Sequence, residues 1–127
     1  MALYAIADLH LSLGTDKPMD VFRGWENYVE RLEKNWRALV TEEDTVVIAG
    51  DISWGMRLEE TVQDFTFLES LPGKKLLLKG NHDYWWSSLT QLRQRLPEGM
   101  HAVQNDAWDA GECVFCGTRG WTIPLGS

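Results

Sequence analysis

Three short apolar runs, each ending in residues able to bind a metal, constrain this chain more than any other feature. Leu3 to Ala7 runs into Asp8-Leu9-His10, Thr45 to Ala49 into Gly50-Asp51, and Lys75 to Lys79 into Gly80-Asn81-His82-Asp83. Runs of this length and make-up read as strands. Leu3 to Ala7 is apolar throughout, as expected of a strand covered on both faces. Helical stripes lie between and after the runs. Trp25, Val29, Leu32, Trp36 and Leu39 recur at spacings of three and four, as do Leu58, Val62, Phe65 and Leu68, and then Trp86, Leu89, Leu92 and Leu96. Pro72-Gly73 closes the second stripe and Pro97 the third, because proline and glycine both stop helices. The order β-α-β-α-β-α favours right-handed crossovers and a mainly parallel sheet with helical cover, an α/β fold.

In a parallel sheet the three polar endings are all carboxyl ends, so they line one edge, where open α/β sheets bind ligands. Each residue alone has an ordinary reading. An Asp after a strand caps a helix or makes a turn, Asn81 suits a turn, and His82 suits a surface. Two acids, an amide and two histidines at three successive strand ends are not explained by turns. Gly50 and Gly80 remove side chains where the backbone must turn or come close to the cluster. A Walker loop, a dinucleotide fingerprint and a serine-hydrolase elbow are all missing.

At 127 residues the chain is read as one domain. Its composition, 44% hydrophobic and 24% charged, is that of a folded protein rather than a disordered one. The apolar start has no basic leader, and no run is long enough for a membrane span, so a cytoplasmic location is the expectation. A net charge of −7 with scattered basic residues makes long nucleic acid an unexpected partner. Residues 11–24 read as a long loop. Met100 to Gln104 and Cys113 to Gly117 read as short strands that either begin a second sheet or extend the first. Cys113 and Cys116 read as half a zinc site or, preferably, with at least one of them a buried strand residue.

The motifs resemble those of the calcineurin-like metallophosphoesterases, whose N-terminal half carries DxH, then GD, then GNH[DE]. Here these stand as Asp8-Leu9-His10, Gly50-Asp51 and Gly80-Asn81-His82-Asp83, in that order. The resemblance implies the first half of a four-layer sandwich. It implies Asp8 and His10 as ligands of a first metal, Asp51 as a bridge between two metals and Asn81 as a ligand of the second. His82 becomes a general acid or a stabiliser of the phosphoryl oxygens. Asp83 orients His82 or caps the third helix. Two divalent ions, Mn, Fe or Zn, would offset the charge of a phosphate ester and lower the pKa of an attacking water. The family completes its site with later histidines. The third histidine here, His101, matches none of those motifs and reads as structural or exposed. The expectation is therefore residues 1–127 as the N-terminal portion of such a domain, a fragment rather than half of a two-chain enzyme or a descendant that lost catalysis.

Two function classes follow. The first is a metal-dependent phosphoesterase acting on a phosphomonoester or phosphodiester, with a small phosphate ester or a nucleotide as substrate. The second is a non-catalytic metal- or phosphate-binding module. Trp54, Tyr84 and Trp85 either stack on a substrate or, preferably, pack the fold. Arg119 is a phosphate clamp on chemistry alone. The 127-residue form itself is expected to be nearly inactive, and to self-associate through an open apolar sheet face.

Overall fold

The computed structural model describes residues 2–15 and 19–118. Four strands, β1 (Leu3–Ile6), β2 (Thr45–Ala49), β3 (Lys74–Leu78) and β4 (Met100–Ala102), form one sheet in the order β1-β2-β3-β4. All three pairings are parallel, with Ile6 opposite Ile48, Ile48 opposite Leu77, and Leu77 opposite Ala102. Helices α1 (Tyr28–Leu39), α2 (Val62–Ser70) and α3 (Leu89–Arg95) occupy the crossovers. The expected α/β order and parallel sheet are present.

One sheet face carries the core. Val46, Ile48, Leu77, Met100 and Ala102 pack in one cluster with Trp36, Val40, Phe65, Leu68 and Leu92 from the helical side. Trp36 is the one fully buried residue of α1, and its indole Nε1 donates 2.9 Å to the Pro72 carbonyl. That bond joins α1 to the turn between α2 and β3. Lys75 lies on the same sheet face, 3% exposed. Its ammonium donates to the Leu71 carbonyl at the end of α2, and burial pulls its pKa down.

Several sequence expectations fail here, each for a packing reason. β1 is an edge strand with alternating exposure, not a strand covered on both faces. On its open face Leu3 and Ala5 pair with Thr45 and Val47 of β2; Leu3, Ala5 and Ala49 are exposed. Leu39 and Val62 were expected on buried stripes but are 64% and 58% exposed. The buried stripe of the second helical region is Thr61, Asp64, Phe65 and Leu68, so it is rotated from the expected one. Trp25 and Trp86 precede α1 and α3 rather than opening them, and α3 is capped by Ser88, whose hydroxyl accepts from the Gln91 N–H at 3.3 Å.

The last stretch does both things the sequence left open. β4 extends the first sheet, while β5 (Asp106–Asp109) and β6 (Val114–Gly117) pair antiparallel in a separate ribbon. The ribbon docks on the face opposite the helices. His101 of β4 stacks on Trp108 at 4.1 Å, and Gly117 is so close to Leu78 and Val103 that a Cβ there would lie 2.6 and 2.8 Å from them. His101 is thus a half-buried packing residue, within the structural role expected of it. Cys113 and Cys116 are both exposed, which corrects the expectation that at least one is a buried strand residue: Cys116 alternates with Phe115 and Gly117 and so faces away from the sheet, and Cys113 precedes the strand. Residues 119–127, with Arg119 and the closing segment, lie outside the described residues, as do residues 16–18 of the long loop.

Trp36→Ala should lower unfolding free energy by about 3–5 kcal/mol, the range for emptying a buried aromatic site. Denaturant unfolding of wild type and variant measures it. A loss under about 1 kcal/mol would mean that α1 does not pack as described.

Candidate metal centre

The first two ligand loops are held together by a continuation of the sheet. Beyond the strands, the Asp8 N–H donates to the Gly50 carbonyl at 3.0 Å, His10 to Asp51 at 2.9 Å and Leu11 to Ile52 at 2.9 Å. Tyr28, at the start of α1, donates its hydroxyl to the His10 carbonyl at 2.6 Å. Backbone pairing thus sets the spacing between the first and second loops before any side chain acts.

Asp8, His10 and Asp51 all have positive φ, 59°, 46° and 50°. Left-handed backbone is tolerated by Asp but is uncommon for His, and costs on the order of 1 kcal/mol or more at each such residue. The three residues that share this conformation are also the three whose ligand atoms cluster. Gly50 also has a positive φ, 99°, and a Cβ on it would meet the Gly80 backbone at 2.7 Å. A Cβ on Gly80 would meet the Asp51 N and Oδ1 at 2.2 and 2.3 Å. The second and third loops touch glycine to glycine, as the glycine placement in the sequence suggested.

Ligand atoms of Asp8, His10 and Asp51 lie within 4.8 Å of one another. His10 Nε2 is 3.9 Å from Asp8 Oδ1 and 4.0 Å from Asp51 Oδ2. Two metal–ligand bonds of about 2.1 Å span at most about 4.2 Å. These pairs stand just inside that limit, which holds only for opposed ligands, so the three groups would draw closer together around a shared ion. An N,O,O donor set suits a divalent transition metal. The two carboxylates repel each other without a cation, so the residues fit the group.

Asn81 lies against the same carboxylate. With its amide nitrogen turned to Asp51, it donates to the two carboxylate oxygens at 3.2 and 3.3 Å. With the amide oxygen turned there, acceptor faces acceptor, an arrangement that only a shared cation makes favourable. The two orientations differ by a half-turn of one side chain. His82 donates its backbone N–H to Asp51 Oδ1 at 2.9 Å. Its ring nitrogen Nδ1 lies 3.7 Å from Asp51 Oδ2, buried and with no hydrogen-bond partner among the described residues. Asp51 is thus the residue at which His10, Asn81 and His82 meet.

Asp83 does neither of the things expected of it. It does not reach the His82 ring, and Ser88 rather than Asp83 caps α3. The carboxylate is 1% exposed and points inward. Oδ2 accepts from Gly80 N at 2.7 Å and Asp51 N at 2.9 Å; Oδ1 accepts from Ile52 N at 2.8 Å, Ser53 N at 3.4 Å and the Trp85 indole at 3.0 Å. Burial pushes its pKa up, while the N–H donors from Gly80, Ile52 and Ser53 act against that. Asp83 therefore clamps the second loop to the third through backbone and touches no ligand side chain.

A second buried acid does similar work and was not singled out in the sequence. Asp64 of α2, fully buried, accepts from Leu13 N at 2.9 Å and from the Ser53 hydroxyl at 2.5 Å. Burial raises its pKa and the Ser53 hydrogen bond opposes the rise. It ties the first and second loops to a helix. The signal was an Asp one helical turn before Leu68, inside an otherwise apolar stripe. Among the aromatics, Trp85 packs in the core, as preferred. The Trp54 ring instead lies 5.2 Å from that of His10 and 5.8 Å from that of His82, and the Tyr84 ring 6.1 Å from that of His82. Trp54 and Tyr84 flank the centre.

Asp83→Asn should place amide hydrogens against two backbone N–H donors. The expected result is a destabilisation of roughly 1–3 kcal/mol and a fall of about tenfold or more in divalent-metal affinity. Thermal unfolding and calorimetric Mn²⁺ titration read the two effects. Unchanged metal affinity would separate the clamp from the metal centre.

A family model described as calcineurin-like phosphoesterase matches residues 1–120. No curated protein matches the chain significantly. A solved structure of a protein of unknown function from Aquifex aeolicus resembles it with a TM-score of 0.52 and 21% identity. The match covers 90% of this chain and 58% of the other, and at that identity it speaks for the fold alone. A parallel sheet with clustered Asp8, His10 and Asp51 at its carboxyl edge, inside a family match over nearly the whole chain, places this protein in the calcineurin-like phosphoesterase family.

Proposed function

We propose that this chain supplies the metal-binding loops of a phosphoesterase, and that the whole protein hydrolyses a phosphomonoester or phosphodiester with water. The observation that carries this reading is the cluster of Asp8, His10 and Asp51, with Asn81 and His82 both against Asp51. Asp8, His10 and Asp51 would hold a first divalent ion. Asp51 and Asn81 would offer oxygens to a second, with the Asn81 amide oxygen turned toward the Asp51 carboxylate. Mn, Fe and Zn are the ions this donor set suits. Bound ions of this kind offset the ester's charge and lower the pKa of water.

His82 lies beside Asp51 with a ring partly open to solvent, placed to protonate the leaving oxygen or to steady the phosphoryl oxygens. Asp83 and Asp64 hold the loops in register. The substrate class is a small phosphate ester or a nucleotide. A net charge of −7 works against long nucleic acid, whose binding is driven by phosphate neutralisation. Among the described residues no helix is long and apolar enough to cross a membrane.

Asp51→Asn should abolish turnover of an aryl phosphate by the whole protein and reduce bound metal. Normal metal content with normal turnover in that variant would overturn the assignment. His82→Ala should lower turnover by about 10²–10⁴-fold, the scale of a positioned proton donor, with metal content retained. The loss should be smaller for esters with good leaving groups, which need less protonation. Metal loss in the His82 variant would mean that His82 is a ligand.

A further inference from the structure

Two grooves of similar size open beside the metal centre, and they differ in charge. One, of about 500 Å³, lies between Met56-Arg57 of the second loop and Tyr84 of the third, with Gln91 and Arg95 of α3 along its floor. The other, of about 480 Å³, lies on the far side of Met56, against Leu13 to Thr15 and Trp54. Met56 is the shared wall. The second groove has no cation in its lining; its one charged residue is Glu60, whose carboxylate already accepts from the Met56 and Arg57 N–H groups at 3.0 Å each. The first groove holds two of the chain's twelve basic residues, Arg57 and Arg95, beside one carboxylate, Glu59, so its lining is net positive while that of the second is net negative. In a chain of net charge −7, two arginines lining one groove need a reason.

We propose that the groove lined by Arg57, Tyr84, Gln91 and Arg95 is a substrate subsite that binds a second anionic group, a phosphate or a carboxylate, on the ester hydrolysed at the metal centre. The subsite is built from the same two loops that carry Asp51 and His82, so it begins where the centre ends. Tyr84 forms the boundary: its ring lies 6.1 Å from that of His82 and also lines the groove. Gln91 and Arg95 stand one helical turn apart on α3 and so face the same way. Arg57 makes no ion pair among the described residues. Arg95 is only loosely held by Glu59, at 3.9 Å with both side chains more than half exposed. An exposed pair of that kind is worth little and is readily exchanged for a better anion. A guanidinium fork suits both phosphate and carboxylate, which it grips with two parallel hydrogen bonds. The position beside His82 assigns the subsite to the leaving-group side of the substrate.

This inference rests on the phosphoesterase reading for its placement, but its test is an affinity ratio that does not depend on turnover. Calorimetry in the presence of Mn²⁺ would compare fructose bisphosphate with fructose monophosphate, and phosphoglycerate with glycerol phosphate. The first pair reports a second phosphate and the second pair a carboxylate. Wild type should bind the doubly anionic member more tightly by about tenfold or more in at least one pair, as charge-assisted hydrogen bonds allow. The double variant Arg57→Gln, Arg95→Gln should lose that preference; both positions are exposed, so the fold should be retained, as circular dichroism would check. No preference in either pair, or a preference that persists in the double variant, would overturn the proposal. If the protein hydrolyses no ester at all, the phosphoesterase reading fails while the affinity ratio still decides the subsite.

Discussion

The site depends on one buried carboxylate. Asp83 accepts from Gly80, Asp51, Ile52, Ser53 and the Trp85 indole, and so fixes the loop after β2 against the loop after β3. A loop rich in unpaired N–H groups cannot be buried without acceptors, and a carboxylate cannot be buried without donors. Each solves the other's problem at the base of the site. The two glycines let the loops come close enough for one side chain to serve both. Asp51 is then held by its backbone N–H from behind, and its carboxylate is free to face His10, Asn81 and His82.

This division of labour separates support from chemistry. Asp83 and Asp64 are buried and engaged with backbone or hydroxyl donors, so they carry the cost of order. Asp8 has a side chain 64% exposed, while Asp51, at 12%, faces the other members of the cluster rather than backbone donors alone. Strained backbone at Asp8, His10 and Asp51 belongs to the same logic. The parallel pairing that continues from β1 and β2 through residues 8–11 and 50–52 holds these conformations in place. Strain persists where the surrounding structure over-determines it.

The two sheet faces have different fates. The helix-covered face contains the core. The other is covered by the β5–β6 ribbon near β3 and β4, where His101 meets Trp108 and Gly117 meets Leu78. Toward β1 that face presents Leu3, Ala5 and Ala49. The apolar run of β1 was thus a sound sign of a strand and a poor guide to its cover, because pattern reports what a residue favours and not what lies above it.

Much of the centre was legible in the chain. Period and punctuation located the strands and the helical regions, since alternation between apolar runs and helical stripes follows from backbone geometry alone. Asp8, His10, Asp51, Asn81 and His82 were legible because they stand at strand ends that a parallel sheet must place on one edge. The partners of those residues were not legible. Asp83 was expected to hold an imidazole and instead holds backbone; Asp64 and Tyr28 carried no motif at all. Hydrogen bonds to main-chain groups leave little trace in residue type, because every residue but proline offers the same N–H. The rotation of α2 that exposes Val62 and buries Asp64 was likewise settled by packing, where a donor waiting at Ser53 outweighs one methyl-rich side chain at the surface. Sequence determined which groups could do chemistry and on which edge they gather. Tertiary structure alone decided how they are held, because the distances between loops are set by contacts made across residues far apart in the chain.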